Sequence, residues 1–344
     1  MASFKRLIIA AALLLPLAAD ALAAQTDDTA ASFSYVPNIH GVVRPRYELD
    51  LESGRSRFEV RNARLTLDGK VAPTIDYFCQ VDLCDQGVFK PLDFWGRIGI
   101  IKGLSVQAGQ FRMPFGVDPF RAPANYIFSN RSFIARQICN YRAVGAKASY
   151  TLPKIPLSIE AGIFNPYAIG NHNVWTRRMA WAAKANYTLR NVGFTAGYMS
   201  TAPDDVRLNI ADACVSWKWG RWLVEGEYMY EFYEDGMHKG CHGWNAFADY
   251  RFPIKAGIFN QLSFQGRYDG MTAHSTGVRD AAGLLQTDNP ARQRVTLGAT
   301  ISHFRSAKLF VDVRLDFEKY FYHKDVTVPQ GQGDKAVVEL VVRF

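Results

Sequence analysis

The chain has 344 residues, a net charge of +8, 13% aromatic residues, 27 glycines and five cysteines. After the first twenty-odd positions, no continuous apolar stretch reaches the length of about 20 residues that a spanning helix needs, and with a mean hydropathy of -0.11 this excludes a helical membrane protein. The odd cysteine count excludes complete internal pairing, and the net charge speaks to steering rather than to a particular ligand.

At the start, Lys5 and Arg6 precede an apolar run from Leu7 to Ala19 and the small-residue pattern Ala21-Leu22-Ala23. This is the order of a secretory leader over 1–23, cleaved after Ala23. Residues 24–37 are polar and patternless and read as a flexible lead-in. The segment 38–344 then alternates apolar and polar residues with almost no helical period. Ile75, Tyr77, Cys79, Val81 and Leu83 oppose Asp76, Phe78, Gln80 and Asp82. Trp244, Ala246, Ala248 and Tyr250 oppose Asn245, Phe247, Asp249 and Arg251, and Leu309 to Phe317 repeat the pattern. Parity changes near Arg61-Asn62 and near Asp212 predict bulges at both places.

A soluble sandwich would bury the apolar face of such strands, whereas a barrel in lipid turns it outward. The connections decide between them, because short turns (Ala72 to Thr74, Lys102-Gly103, Leu152 to Pro156, Leu189 to Asn191, Gly220-Arg221, Pro253 to Ile258, Arg305 to Ala307) alternate with long segments. The long ones are Met113 to Tyr141, Asn165 to Arg177, Glu234 to His242, Gly270 to Ala291 and Phe321 to Gly333. The expectation is an all-β, transmembrane antiparallel β-barrel of about sixteen strands, with short periplasmic turns and long outer loops, in the outer membrane of a Gram-negative bacterium. About sixteen strands leave an aqueous lumen. The last strand carries Val338, Leu340, Val342 and Phe344 on its outward face and ends on that aromatic, a terminus read by the barrel-assembly machinery.

Three stretches carry a family resemblance. They are Phe58-Glu59-Val60-Arg61-Asn62-Ala63-Arg64-Leu65 followed by Asp68-Gly69, then Gly109-Gln110-Phe111-Arg112-Met113-Pro114-Phe115-Gly116, and the closing strand. In order and spacing, over roughly Ile39 to Phe344, the chain resembles the phosphate-selective porin O/P family. That resemblance implies a homotrimeric outer-membrane channel passing phosphate, polyphosphate or other small anions, without a cofactor. The basic N-terminal extension of some members is not evident.

In porin-like barrels a long third loop folds into the lumen. Here that loop, 113–141, is stiffened by Pro114, Pro119 and Pro123 and holds Arg121, Arg131 and Arg136, with Arg112 and Arg142 at its ends, against Asp118 as its single acid. Inside, these five arginines form an anion constriction, because the planar guanidinium keeps its charge and binds phosphate oxygens in pairs. On the outer surface they would meet the phosphates of lipopolysaccharide instead. Strand parity points Arg64, Lys147, Lys184, Arg251, Arg267, Arg294 and Arg314 inward, and Arg64, Lys147, Arg267 and Arg314 are the pore-wall candidates. Acids such as Asp82, Glu225, Glu227, Asp249, Asp316 and Glu318 share those faces and are expected to pair with them across strands.

Cys84, Cys139 and Cys241 fall in expected outer loops, where Cys84 and Cys139 are candidates for a bridge, while Cys214 points inward. The cluster His238-Lys239-Gly240-Cys241-His242 lacks four-ligand metal spacing, so no metal is expected. Asp204-Asp205 and His274-Ser275 lack nucleophile-and-base spacing and read as solvated loop residues, so no catalytic residue is assigned. A general or weakly cation-selective porin without phosphate preference, a structural or adhesive barrel and a barrel enzyme are the alternatives to the anion channel. No nucleic-acid partner is expected.

Overall fold

A computed structural model describes residues 34–139, 141–171, 175–202, 206–234, 238–328 and 331–344. The expected leader, most of the lead-in and Asp204-Asp205 lie outside the described residues. The strands are β1 (Asn38–Asp50), β2 (Ser56–Ala72), β3 (Ile75–Asp85), β4 (Val88–Ile101), β5 (Leu104–Arg112), β6 (Arg142–Thr151), β7 (Leu157–Phe164) and β8 (Ala180–Leu189). They continue as β9 (Val192–Thr201), β10 (Leu208–Trp219), β11 (Trp222–Tyr233), β12 (Cys241–Ala256), β13 (Phe259–Met271), β14 (Arg292–Ser306), β15 (Leu309–Tyr322) and β16 (Lys335–Arg343). Each pairs antiparallel with its chain neighbours, and β1 pairs with β16, so the sheet closes into a sixteen-stranded barrel.

Alternation sets the faces. On β15, Leu315 and Phe317 are 55% and 46% exposed on the outside, whereas Asp316 and Glu318 between them are 1% and 0% exposed on the inside. That is the reverse of a soluble sandwich. No helix of the described residues is long and apolar enough to cross a membrane.

Closure uses the last residue. Phe344 N–H donates to Gly41 O, Gly41 N–H donates back to Phe344 O at 2.7 Å, and the Phe344 ring covers Gly41 so closely that a Cβ there would lie 2.9 Å from it.

At the end that holds both termini the turns are mostly two residues long, as at 73–74, 102–103 and 220–221. At the far end, connections 51–55 and 86–87 are short as well, and the long loops begin with the third. Instead of turning at Pro253, β12 continues to Ala256, because a register shift between Pro253 and Ala256 absorbs the missing donor.

Of the two expected bulges, the one on β2 is present: pairing with β1 steps from Asn62 to Val60 and leaves Arg61 as the extra residue. The one on β10 is absent, since its register with β9 and β11 is continuous through Asp212. The parity change there has a different cause. Leu208 and Ile210 point inward despite being apolar, because they belong to a cluster inside the barrel with Phe111, Met113, Phe115, Phe164, Met199, Met229, Met271 and the third-loop residues Phe133, Ile134 and Ile138.

The candidate Cys84–Cys139 bridge is not formed, and all five cysteines are free. Cys84 lies on β3, and Cys241 opens β12 rather than sitting in a loop, while Cys139 is buried in the internal apolar cluster.

Candidate functional site

The third loop leaves the wall through the stretch Gly109 to Gly116, and each residue type there has a physical task. Gly109 has φ +135° and its Cβ would meet Phe94 O at 2.1 Å, so only glycine lets β5 approach β4 this closely. Gln110 donates to Leu92 O at 2.5 Å and accepts from Ile169 N–H at 2.6 Å, tying the fourth outer loop to the barrel. Phe111 packs edge-on against Phe164, and Met113 and Phe115 enter the internal cluster. At Gly116, φ is +74° and the chain turns inward.

From there the loop crosses the lumen to strands β10 to β16 and β1. It has little regular structure, only the short 3-10 turns Asp118–Phe120 and Pro123–Asn125 and one π-helical turn, Ile134–Ile138, closed by Cys139 N–H to Ile134 O at 2.8 Å. Its buried backbone groups therefore need partners from elsewhere.

The wall charges supply them. Glu227 accepts Val117 N–H at 2.6 Å and Asp118 N–H at 2.9 Å, Asp316 accepts Ser129 N–H at 2.6 Å, and Asp269 accepts Phe133 N–H at 3.0 Å. Conversely, Lys184 donates to Gly116 O at 2.5 Å, Arg44 to Ser129 O at 2.7 Å, Arg267 to Asn130 O and Arg294 to Arg131 O at 2.8 Å each. Glu227 and Asp316 thus hold the loop rather than a base on the next strand, whereas Asp82 and Glu318 bond Arg64 and Arg294 across strands as expected, and Asp269 does both.

The five loop arginines separate into three settings. Arg121 is pinned between Asp118 at 2.7 Å and Glu225 at 2.5 Å, with its guanidinium over the Phe247 ring. Burial opposes its charge, but Asp118 and Glu225 outweigh that and raise its pKa. The same contact, with help from Ser132 and Arg131, holds the Asp118 carboxyl below the usual range despite burial.

Arg112, Arg131 and Arg142 gather on the side facing β2 to β6. Arg112 lies within electrostatic reach of Arg142, Arg131 and the wall residue Arg64. It donates to Pro119 O and Arg121 O and is bonded to no carboxylate among the described residues. Arg142 pairs with Asp93 at 2.8 Å and Arg64 with Asp82 at 2.9 Å. Tyr126 reports the field there. Its burial would raise the phenol pKa, yet Arg131, Arg112, Arg64 and Arg44 together lower it. The guanidinium carbons of Arg44 and Arg131 lie 5.0 and 5.7 Å from the Tyr126 ring centre.

Arg136 stands apart from that group. It is exposed, bonded to no carboxylate among the described residues, and lines a far-end cavity of about 480 Å3 with Arg46, Arg55, Arg57 and Lys335 against Glu48 and Asp50.

On the terminus side of the loop is a second cavity of about 380 Å3, bordered by Arg121, Arg251 and Arg314. Between the two, bordered by Asn130, Arg131, Asp118 and Arg267, the free space is about 10 Å3, enough for little more than one water. Of the wall candidates, Arg64 faces the basic group, Lys147 bonds Glu160, Arg267 holds the loop, and Arg314 bridges Asp312 at 2.9 Å and Glu339 at 3.4 Å. Arg44, which sequence reasoning missed, pairs with Glu339 at 2.7 Å; its inward position beside Pro45 is the only local signal.

His274 and Ser275 are not solvated loop residues. They are 6% and 3% exposed, because His274 turns back to place Nδ1 2.9 Å from Glu231 Oε1 beside Cys241.

No protein-family model and no curated protein matches the sequence. Solved structures do match. An anion-selective porin from Comamonas acidovorans superposes with a TM-score of 0.58 at 13% identity, over 90% of this chain and 99% of that one. OprB from Pseudomonas putida gives 0.60 at 10% identity over 89% and 93%, and the outer-membrane channel DcaP of Acinetobacter baumannii gives 0.58 at 12% over 90% and 97%. The fold is that of outer-membrane porins.

Proposed function

We propose that this protein is an outer-membrane porin, a passive diffusion channel without enzymatic activity, whose narrow part favours small anions such as phosphate. The observation that carries the reading is the charge division made by the third loop. Glu225, Glu227, Asp269 and Asp316 are occupied in bonding the loop, while the opposite side presents Arg64, Arg112, Arg131 and Arg142 around Tyr126. A cluster of arginines beside a narrow passage raises the local anion concentration and offers paired donors to phosphate oxygens. Arg136 and its basic neighbours line the outer approach. The porin-like fold supports conduction, and the resemblance of Gly109 to Gly116 supports phosphate as the preferred anion.

In this reading Phe344 is the signal read by the assembly machinery, the outer loops face lipopolysaccharide, and the protein works as a homotrimer. A solved outer-membrane protein of the same fold, OmpT of Vibrio cholerae, is described in a trimer form. A second reading is a general porin. It is favoured by the carboxylates bound to Arg44, Arg64 and Arg142, which offset much of their charge.

Single-channel recording in a planar bilayer with phosphate titrated into a chloride bath tests the proposal. Discrete conductance steps that phosphate progressively blocks, and that lose this block in Arg112→Ala, are the expected result. Steps indifferent to phosphate favour the general porin, and no conductance at all overturns both readings.

A further inference from the structure

Beneath the root of the third loop, β10 and β11 bring one thiol and two carboxylates together. Cys214 and Glu227 are direct cross-strand partners, and Glu225 is the next inward residue on β11. The Cys214 Sγ and one carboxylate oxygen from each glutamate lie within 4.8 Å of one another. All three residues are buried, at 4%, 4% and 3% exposure for Cys214, Glu225 and Glu227.

The surroundings are short of positive charge. Asp118 and Asp212 join the two glutamates; Arg121 is bonded to Asp118 and Glu225, Arg131 and Arg267 lie within electrostatic reach of Asp118, and Lys184 is the cation within reach of Asp212 and Glu227. Asp212 is an independent sign of a missing partner. It is 6% exposed, neither of its carboxylate oxygens makes a hydrogen bond of normal geometry, and its charge reaches both Cys214 and Glu227. Leaving such a group buried and unpaired is costly. A divalent cation supplies the missing charge.

We propose that Cys214, Glu225 and Glu227 form a binding site for a thiophilic divalent cation of the zinc class, with Asp212 as the outer carboxylate that completes charge balance. The thiol decides the class, because calcium and magnesium take oxygen ligands and thiolates select zinc and softer ions. Zinc holds sulfur at about 2.3 Å and carboxylate oxygen at about 2.0–2.2 Å, so the three donors close toward one another on binding and Cys214 releases its proton to solvent. Glu227 keeps lone pairs for the metal while accepting Val117 N–H and Asp118 N–H, so the ion stiffens the root of the loop. Cys139, a second thiol, lies within reach of Asp212 and Glu227.

The test uses the full folded barrel in detergent. After dialysis against zinc and washing, metal analysis is expected to find one zinc per chain, and cobalt substitution to give a thiolate-to-metal charge-transfer band. Cys214→Ser is expected to abolish that band and weaken zinc binding at least about tenfold, while Cys79→Ser changes neither. Glu227→Gln, which keeps the side-chain shape, weakens zinc binding in the same direction. Folding of each variant is read from its heat-dependent shift on a gel. Zinc binding unchanged in folded Cys214→Ser, or no zinc retained by the wild-type barrel, overturns the site. Neither result depends on conduction, so the channel reading stands or falls separately.

Discussion

Arg294 shows how a single residue can be indispensable in a packed lumen. Its guanidinium is 1% exposed and bonds Asp269 at 2.8 Å, Glu318 at 3.2 Å and the loop carbonyl of Arg131 at 2.8 Å. Two buried carboxylates have it as their shorter-range partner, with Arg267 at 3.3 and 3.7 Å as the second, and breaking a buried ion pair by removing one member costs about 3–5 kcal/mol. Arg294→Ala is therefore expected to unfold at a clearly lower temperature, measured by the heat-dependent gel shift. Arg294→Lys should recover little of that loss, since one ammonium lacks the planar fork that reaches three acceptors. His274 gives a pH-dependent counterpart. Burial alone would lower its pKa, but the Cys241 sulfur and the Glu231 carboxylate outweigh burial and raise it from the ordinary 6.5 to about 10. A raised pKa in the folded state stabilises fully below about 6.5, and the contribution is lost as pH climbs through about 10. Protease cleavage within 272–291 is expected to accelerate over that window, and His274→Gln to be cut at a rate that no longer depends on it.

At the scale of elements, the third loop is a chain segment whose backbone is solvated by the wall. Glu225 is the most informative handle on it, because it neutralises Arg121 from strand β11. Glu225→Gln keeps a hydrogen-bond acceptor but removes the charge, so it is expected to shift the channel toward anions. A shift of the reversal potential toward cations would contradict that assignment. This pairing also marks where local reading stops. The inward parity of Arg64, Arg267 and Arg314 was legible, because alternation on a strand depends only on neighbours. The entry of the third loop into the lumen was expected only by likeness to porin-like barrels, with an outward loop as the alternative; what makes it possible is the backbone at Gly109 and Gly116, which other residues would fill only with strain. The division of the five loop arginines was not legible, since Arg121 meets a carboxylate more than a hundred positions away and Arg136 none among the described residues. The false bulge on β10 has the same origin. Leu208 and Ile210 look lipid-facing until Ile134 and Ile138 arrive from the loop to cover them.

For the whole molecule, sixteen strands, an apolar outside and a charged inside follow from a period of two maintained along the chain. Function depends on what occupies the lumen. The internal apolar cluster draws on strands from β5 to β15, the third loop separates cavities of about 480 and 380 Å3, and the basic group lies on the side of the loop facing β2 to β6. The central claim is that this asymmetry makes the passage prefer anions, and the reversal potential of the wild-type protein in a planar bilayer under a potassium chloride gradient measures it most directly. The account predicts a potential on the chloride side of zero that moves toward zero in Arg112→Ala. A potential on the potassium side would contradict it, and would mean that the carboxylates paired with Arg44, Arg64 and Arg142 govern the path instead.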